Sequence, residues 1–170
     1  MGLQQHHETT ESWTAFYEAN FAPCYRYAIR LAAGDATLAE DLVHDAFLGV
    51  LSAWKRGRVP ELSGAILTVA VRQRFLDGIR GQRRRERRET LASARDVHVP
   101  GDPDGSGAIG MLGVLRSLPP RHRLALVMRY VDDLSIEEVA SQLGVSTTAA
   151  ESLLARARRD ARRLLERGNQ

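Results

Sequence analysis

The sequence predicts an all-α chain of two small helical domains, an N-terminal helical bundle and a C-terminal helix-turn-helix domain, joined by a flexible linker. Three observations predict it. Apolar residues recur at helical spacing in both halves, and no stretch of useful length alternates as a strand would. The segment SARDVHVPGDPDGSGAIG at 93–110 holds four Gly, two Pro and three Asp with no helical period, which marks a linker. The pattern Ser/Thr-x-x-Glu, which caps helix N-termini, occurs at Thr37–Glu40 and Ser135–Glu138, each ahead of an apolar run. The domains therefore span 10–90 and 112–168, with the linker at 91–111.

In the first half, Trp13, Phe16, Tyr17, Phe21, Tyr25, Ala28 and Ile29 form the stripe of a first helix, with Pro23 an expected irregularity. Thr37 opens a second helix. Its Leu42, Val43, Ala46, Phe47, Val50, Leu51 and Trp54 face the core, while Glu40, Asp41, His44 and Asp45 face away. KRGRVPELSG (55–64) is a loop. A third helix runs from about Ser63 to Arg80 or beyond, with Ile66, Leu67, Ala70, Val71, Phe75 and Ile79 inward.

After the linker, a helix is entered through Pro119-Pro120, with Leu124, Val127, Met128 and Val131 on its apolar side. Ser135 caps the next helix, and Gly144 ends it in the left-handed conformation a tight turn needs. Ser146 caps the last helix, which runs to about Arg167.

Residues 136–155 fit a helix-turn-helix. The helices cross steeply, so a small residue, Ala140, sits at their contact. Gly144 supplies the turn, and Val139, Leu143, Val145, Ala150 and Leu153 are inward. On a helical wheel Ala150, Leu154, Ala157, Ala161, Leu164 and Leu165 form the core side of the last helix. Opposite lie Thr148, Ala149, Ser152, Arg156, Arg159 and Arg163, with Glu151 on the flank near Arg158 and Arg162. Hydroxyls and an Ala methyl can meet base edges, and the arginines can hold phosphates. An ordinary αα-hairpin is the bland alternative for this half.

Net charge is +3, unevenly spread. Residues 1–50 hold seven acids against Arg26 and Arg30, and residues 72–88 hold eight arginines against Asp77 and Glu86. An acidic front and a basic stretch suggest two partners of opposite character. No apolar run reaches the ~20 residues needed to span a bilayer, so no membrane insertion is expected. The N-terminus has no secretory signal, and a cytoplasmic location is expected. Cys24, the single cysteine, reads as a small buried residue. The five histidines (His6, His7, His44, His98, His122) have no ligand spacing with Cys24 or each other, so no metal is expected; no cofactor or small-molecule ligand is expected either. There is no nucleophile with a base, no phosphate loop and no dinucleotide glycine pattern, which argues against an enzyme.

Three stretches carry a family resemblance. AEDLVHDAFLGVLSAW (39–54), VRQRFLDGIRGQRRR (71–85) and LRSLPPRHRLALVMRYVDDLSIEEVASQLGVS (115–146) resemble, in this order, motifs of the bacterial RNA polymerase sigma factors of the extracytoplasmic-function (ECF) group. They look like its polymerase-binding helix, the basic helix after its promoter-melting loop, and its C-terminal domain. The likeness covers roughly 13–88 and 112–166.

The resemblance implies core RNA polymerase and promoter DNA as partners, an anti-sigma protein as regulator, and no catalysis. It places Asp41, Leu42, His44, Asp45, Phe47 and Leu48 on the polymerase-docking helix, with His44 and Asp45 where the family commonly has Gln and Glu. It places Arg58 of the loop, then Arg72, Gln73, Arg74, Asp77, Arg80, Arg83, Arg84 and Arg85, beside the -10 element. It places Arg121, Thr147, Thr148, Ala149, Ser152, Arg156 and Arg159 at the -35 element. Glu151 and Leu153 stand where the family commonly has Lys and Arg, so those two contacts do not carry over. The alternative is a stand-alone helix-turn-helix regulator that binds DNA without polymerase.

Overall fold

The computed structural model describes residues 2–90 and 111–168, with side chains over 11–85 and 112–167. The described residues form seven helices: α1 (Gly2–Leu31), α2 (Ala36–Lys55), α3 (Gly64–Thr90), α4 (Met111–Ser117), α5 (Pro120–Tyr130), α6 (Ile136–Leu143) and α7 (Thr147–Gly168). Two compact units, 1–75 and 76–170, divide the chain, and the boundary falls within α3. The linker expected at 91–111 lies almost wholly outside the described residues.

In the first unit α1 packs along α2. Phe16, Cys24, Tyr27, Ala28 and Leu31 of α1 are buried with Leu42, Val43, Ala46, Phe47 and Val50 of α2 and Leu67, Val71 and Phe75 of α3. Each fully buried aliphatic or aromatic side chain contributes roughly 1.5–3 kcal/mol. Pro23 lies inside α1 without ending it. It removes one backbone bond, but buried residues on both sides of it, Phe16 and Tyr27, hold the helix as one rod. Gly64, at the start of α3, approaches α1 closely: a Cβ there would lie 2.7 Å from Asn20 Oδ1.

The start of α2 corrects the sequence reading. The N-cap is Asp35, whose Oδ1 accepts from Leu38 N at 3.0 Å, and not Thr37. Ala33 and Gly34 just before it have φ of 57° and 87°, so the chain reverses there and the helix starts two residues early. Asp caps at least as well as Thr. Tyr17 and Phe21, read as stripe residues, are 41% and 39% exposed. They do share the face of α1 that meets α2, but no third element among the described residues covers them.

The second unit adds a helix that the sequence did not announce, α4, whose Val114 and Leu115 are buried. It has seven residues and contains Gly113, too short for a periodicity to register. The expected cap and turn residues at this end stand. Ser135 and Glu138 exchange both bonds of a capping box, Glu138 N to Ser135 Oγ at 3.1 Å and Ser135 N to Glu138 Oε2 at 2.7 Å. Gly144 has φ 65° and ψ 45°, and its N–H returns to the end of α6. Ser146 Oγ accepts from Ala149 N at 3.2 Å. Two apolar positions are more open than their spacing implies: Val131, just past the end of α5 at Tyr130, and Leu165, in the last turns of α7, are about half exposed.

Candidate polymerase and nucleic-acid surfaces

The acidic helix divides its six candidate residues by depth. Leu42 and Phe47 are buried and belong to the core, whereas Asp41, His44, Asp45 and Leu48 are exposed. The division follows from α2 lying on α1: a residue and its neighbours three and four positions on share one face. Leu48, 51% exposed, borders a cleft of about 360 Å³. Trp13, Tyr17 and Phe21 form its α1 wall, Val43, Phe47 and Leu51 its α2 wall, and Glu40 and His44 line it as well. The carboxylate on this largely apolar slot is that of Glu40, while Asp41 and Asp45 stand exposed on the same helix outside the lining. The i, i+4 spacing of Tyr17 and Phe21 on one face of α1 is legible in the sequence, but their exposure is not.

The basic stretch lies on α3. Gln73, Arg74, Asp77, Arg83, Arg84 and Arg85 are exposed, as is Arg58 in the loop before α3. Arg80 Nη1 bonds Asp77 Oδ1 at 3.5 Å, one helical turn away, so Asp77 orients a guanidinium within the stripe. Arg74 reaches toward α2: a Cβ on Gly49 would lie 3.3 Å from its Nη2. Arg72 is buried, 4% exposed, unlike the other arginines of this group.

In the second unit Ala140, Val139, Leu143, Ala150, Leu153, Leu154 and Ala157 are buried, which locks α6 against α7. Small residues at the crossing let two helices approach closely, as a helix-turn-helix requires. Thr147, Thr148, Ala149, Ser152, Arg156 and Arg159 are all exposed, and Arg121 is half-buried at the start of α5. Arg156 Nε donates to Ser152 O at 3.2 Å, so its guanidinium lies back toward the N-terminal tip of the helix. Glu151 lines a cleft with Arg129, Tyr130 and Arg158, on the flank of α7. Its carboxylate does not crown the outward face.

Three further groups matter structurally. Burial pushes the Cys24 thiol up to about 11. Burial lowers Arg123 to about 10, and its Nη2 donates to Leu118 O at 3.5 Å, tying α5 to the turn after α4. Arg129 Nη1 donates to Leu134 O at 3.2 Å and Asp133 Oδ1 at 3.3 Å, bracing the turn where Asp133 has φ 52°. Among the described residues no cluster of His, Cys, Asp and Glu could hold a metal ion, and no helix is long and apolar enough to cross a membrane.

Comparison with known proteins agrees with this layout. Residues 16–85 match the family described as Sigma-70 region 2, and residues 111–160 match Sigma-70, region 4. The chain is 33% identical over 141 residues to the RNA polymerase sigma factor CarQ of Myxococcus xanthus, covering 78% of this chain and 77% of that protein. It is 30% identical over 158 residues to the ECF RNA polymerase sigma factor SigE of Mycolicibacterium smegmatis, covering 89% of this chain but only 60% of that protein. In fold it is similar to the sigma factor RpoE of Bartonella quintana, solved in complex with the anti-sigma factor NepR. The TM-score is 0.59 at 20% identity, over 92% of this chain and 98% of that one. The two matched regions occur in the order the three motifs required, and the chain belongs to the RNA polymerase sigma factor family, in its ECF group.

Proposed function

We propose that this chain binds core RNA polymerase and directs promoter recognition, promoter melting and the start of transcription. One observation carries the reading. A single chain combines an apolar cleft between α1 and α2, lined by Glu40 and followed on α2 by the exposed carboxylates of Asp41 and Asp45, with a helix-turn-helix whose last helix is arginine-rich. An acidic-apolar face suits a basic protein partner, and the arginines suit phosphates.

In this reading Asp41, His44, Asp45 and Leu48 dock on the polymerase, with Leu42 and Phe47 shaping the surface from beneath. Arg58, Gln73, Arg74, Arg80, Arg83, Arg84 and Arg85 track DNA near the -10 element, with Asp77 orienting Arg80. Arg72, being buried, supports α3 from within. Thr147, Thr148, Ala149 and Ser152 meet the -35 element, and Arg121, Arg156 and Arg159 hold its backbone or bases. The likeness to a sigma factor solved with an anti-sigma factor extends the proposal to an anti-sigma regulator; the cytoplasm, where a bacterial polymerase meets its DNA, is the working compartment this reading requires.

The test mixes the chain with core RNA polymerase and a library of promoter fragments. Polymerase-dependent transcription from selected promoters is the expected result. Specific DNA binding without polymerase, together with no association with core enzyme, would instead establish a stand-alone regulator. The variant Asp41→Arg/Asp45→Arg should lose co-elution with core polymerase while its helical circular dichroism is unchanged.

A further inference from the structure

The arginine-bearing half of α7 has little to hold it. Ala150, Leu153, Leu154 and Ala157 are buried, but from Arg158 onward no described residue of α7 is. Ala161 and Leu164 are half-buried, and the arginines are exposed. Two of the four buried residues are alanines, whose small smooth surfaces fix a helix's rotation about its own axis poorly. Yet the base and phosphate contacts of Arg156, Arg159 and Arg163 depend on that rotation.

One polar contact acts at this point. His122 Nδ1 of α5 lies 2.9 Å from Asp160 Oδ2 of α7, joining residues 38 apart in sequence. The side chains retain only 18% and 27% of their accessibility. Asp160 Oδ1 is held in turn by Arg163. At ~100° per residue, Asp160 falls between the core residues Ala157 and Leu164 on one side and Arg156 and Arg163 on the other. It therefore stands on the edge where the core face turns into the arginine face. A bond at an edge resists rolling; a bond at the centre of either face would resist separation only. Burial works to raise the Asp160 carboxyl, but the hydrogen bonds and charges of Arg163 and His122 outweigh it and hold the carboxyl below its ordinary range.

We propose that His122 and Asp160 are positioning residues that fix the roll of α7 against α5, and through it aim Arg156, Arg159 and Arg163 at the -35 element. The inference rests on α7 being the -35 reader. An acid within an arginine-rich shaft opposes phosphate binding unless its charge is engaged elsewhere, and the pairing with His122 and Arg163 supplies that engagement.

The experiment uses the full chain reconstituted with core RNA polymerase. One template is a promoter selected by the wild-type holoenzyme from a random library, and the other is the same promoter with a scrambled -35 element. The readout is the ratio of transcription from the two, which a general loss of folded protein does not move. His122→Ala and Asp160→Ala should each lower the ratio about five- to tenfold, the scale of one coupled pair. His122→Gln, whose amide can still donate to Asp160, should stay within about twofold of wild type. The exchange His122→Asp/Asp160→His should recover most of the loss, because the pair is restored with its ends reversed. Arg156→Ala/Arg159→Ala separates the two levels. If that variant collapses the ratio while His122→Ala and Asp160→Ala do not, the positioning role is overturned and the reading of α7 survives. If it too leaves the ratio unchanged, the reading of α7 is wrong and the positioning role goes with it. An equal drop on both templates in the His122 and Asp160 variants would reduce the pair to a general stabiliser and overturn the proposal.

Discussion

Tyr17 of α1 lies against Phe47 of α2, with ring centroids 4.7 Å apart and planes inclined by 55°. One ring is 41% exposed and the other 4%. Phe47 also meets half-buried Trp13 and buried Phe16 at centroid distances of 6.1 Å, so Phe16 and Phe47 support the exposed wall of the cleft from beneath. Stability and docking therefore divide between neighbours. Phe47→Ala should cost about 3–5 kcal/mol in urea unfolding, as a large core side chain lost to a cavity does. Leu48→Glu, on the exposed lip, should leave the unfolding midpoint nearly unchanged and weaken association with core polymerase by about tenfold or more. Equal loss of stability in both variants would show that the lip is core.

Gly144 carries the turn of the helix-turn-helix at φ 65°. Any side chain there meets the left-handed penalty of about 1 kcal/mol or more. Gly144→Ala should lower the thermal midpoint of the chain, and Gly144→Asn, which tolerates this conformation, should lower it less. Equal stability of the alanine variant and wild type would contradict the turn geometry.

Asn20 and Gly64 should be energetically coupled. Asn20 Nδ2 donates to Phe16 O at 2.9 Å, which holds its Oδ1 over Gly64. Gly64→Ala must displace that side chain and break the bond, a loss of about 1 kcal/mol. In the background Asn20→Ala the same change should be nearly neutral. A double-mutant cycle on unfolding free energy reads the coupling, and additivity would refute the close approach.

Cys24 should resist modification in the folded chain. Its thiol is buried and pushed up to about 11, so near neutral pH little thiolate exists to react. Iodoacetamide labelling followed by mass spectrometry should be slow in native buffer and fast in urea. A thiol with a raised native value stabilises the fold fully below its unfolded value of about 9 and progressively less as pH rises toward 11. Cys24→Ala should remove that alkaline slope. Rapid native labelling would point to a reactive, accessible thiol instead.

The capping box of α6 offers a final check. Ser135→Ala removes the acceptor for Glu138 N and should cost about 1 kcal/mol, with Ser135→Asp retaining most of the stability. Chemical denaturation of the three proteins measures the series.

Much of this was legible in the residues because it is local chemistry. Ser135 with Glu138 specifies where α6 begins, Gly144 where it ends and Ser146 where α7 begins, since caps and left-handed turns depend on a few adjacent residues. The face of α2 followed from spacing alone, and the two matched regions bear out the family likeness. The cap of α2 was misplaced by two residues because Asp35 and Thr37 both suit the role, and the reversal at Ala33 and Gly34 decides between them. The seven-residue α4 left no periodic trace.

What the sequence could not decide by itself is depth and partnership at a distance. Periodicity places Tyr17 and Phe21 on the face of α1 that meets α2, but only the packed helices leave them as a cleft wall rather than as core. Arg72 reads like its neighbours in an arginine run, yet packing buries it. His122 and Asp160 are separated by 38 residues, and nothing local to either predicts the other. Local sequence determines which backbone conformations and which faces a helix has; the meeting of helices determines which members of a face lose water and which polar groups must find each other.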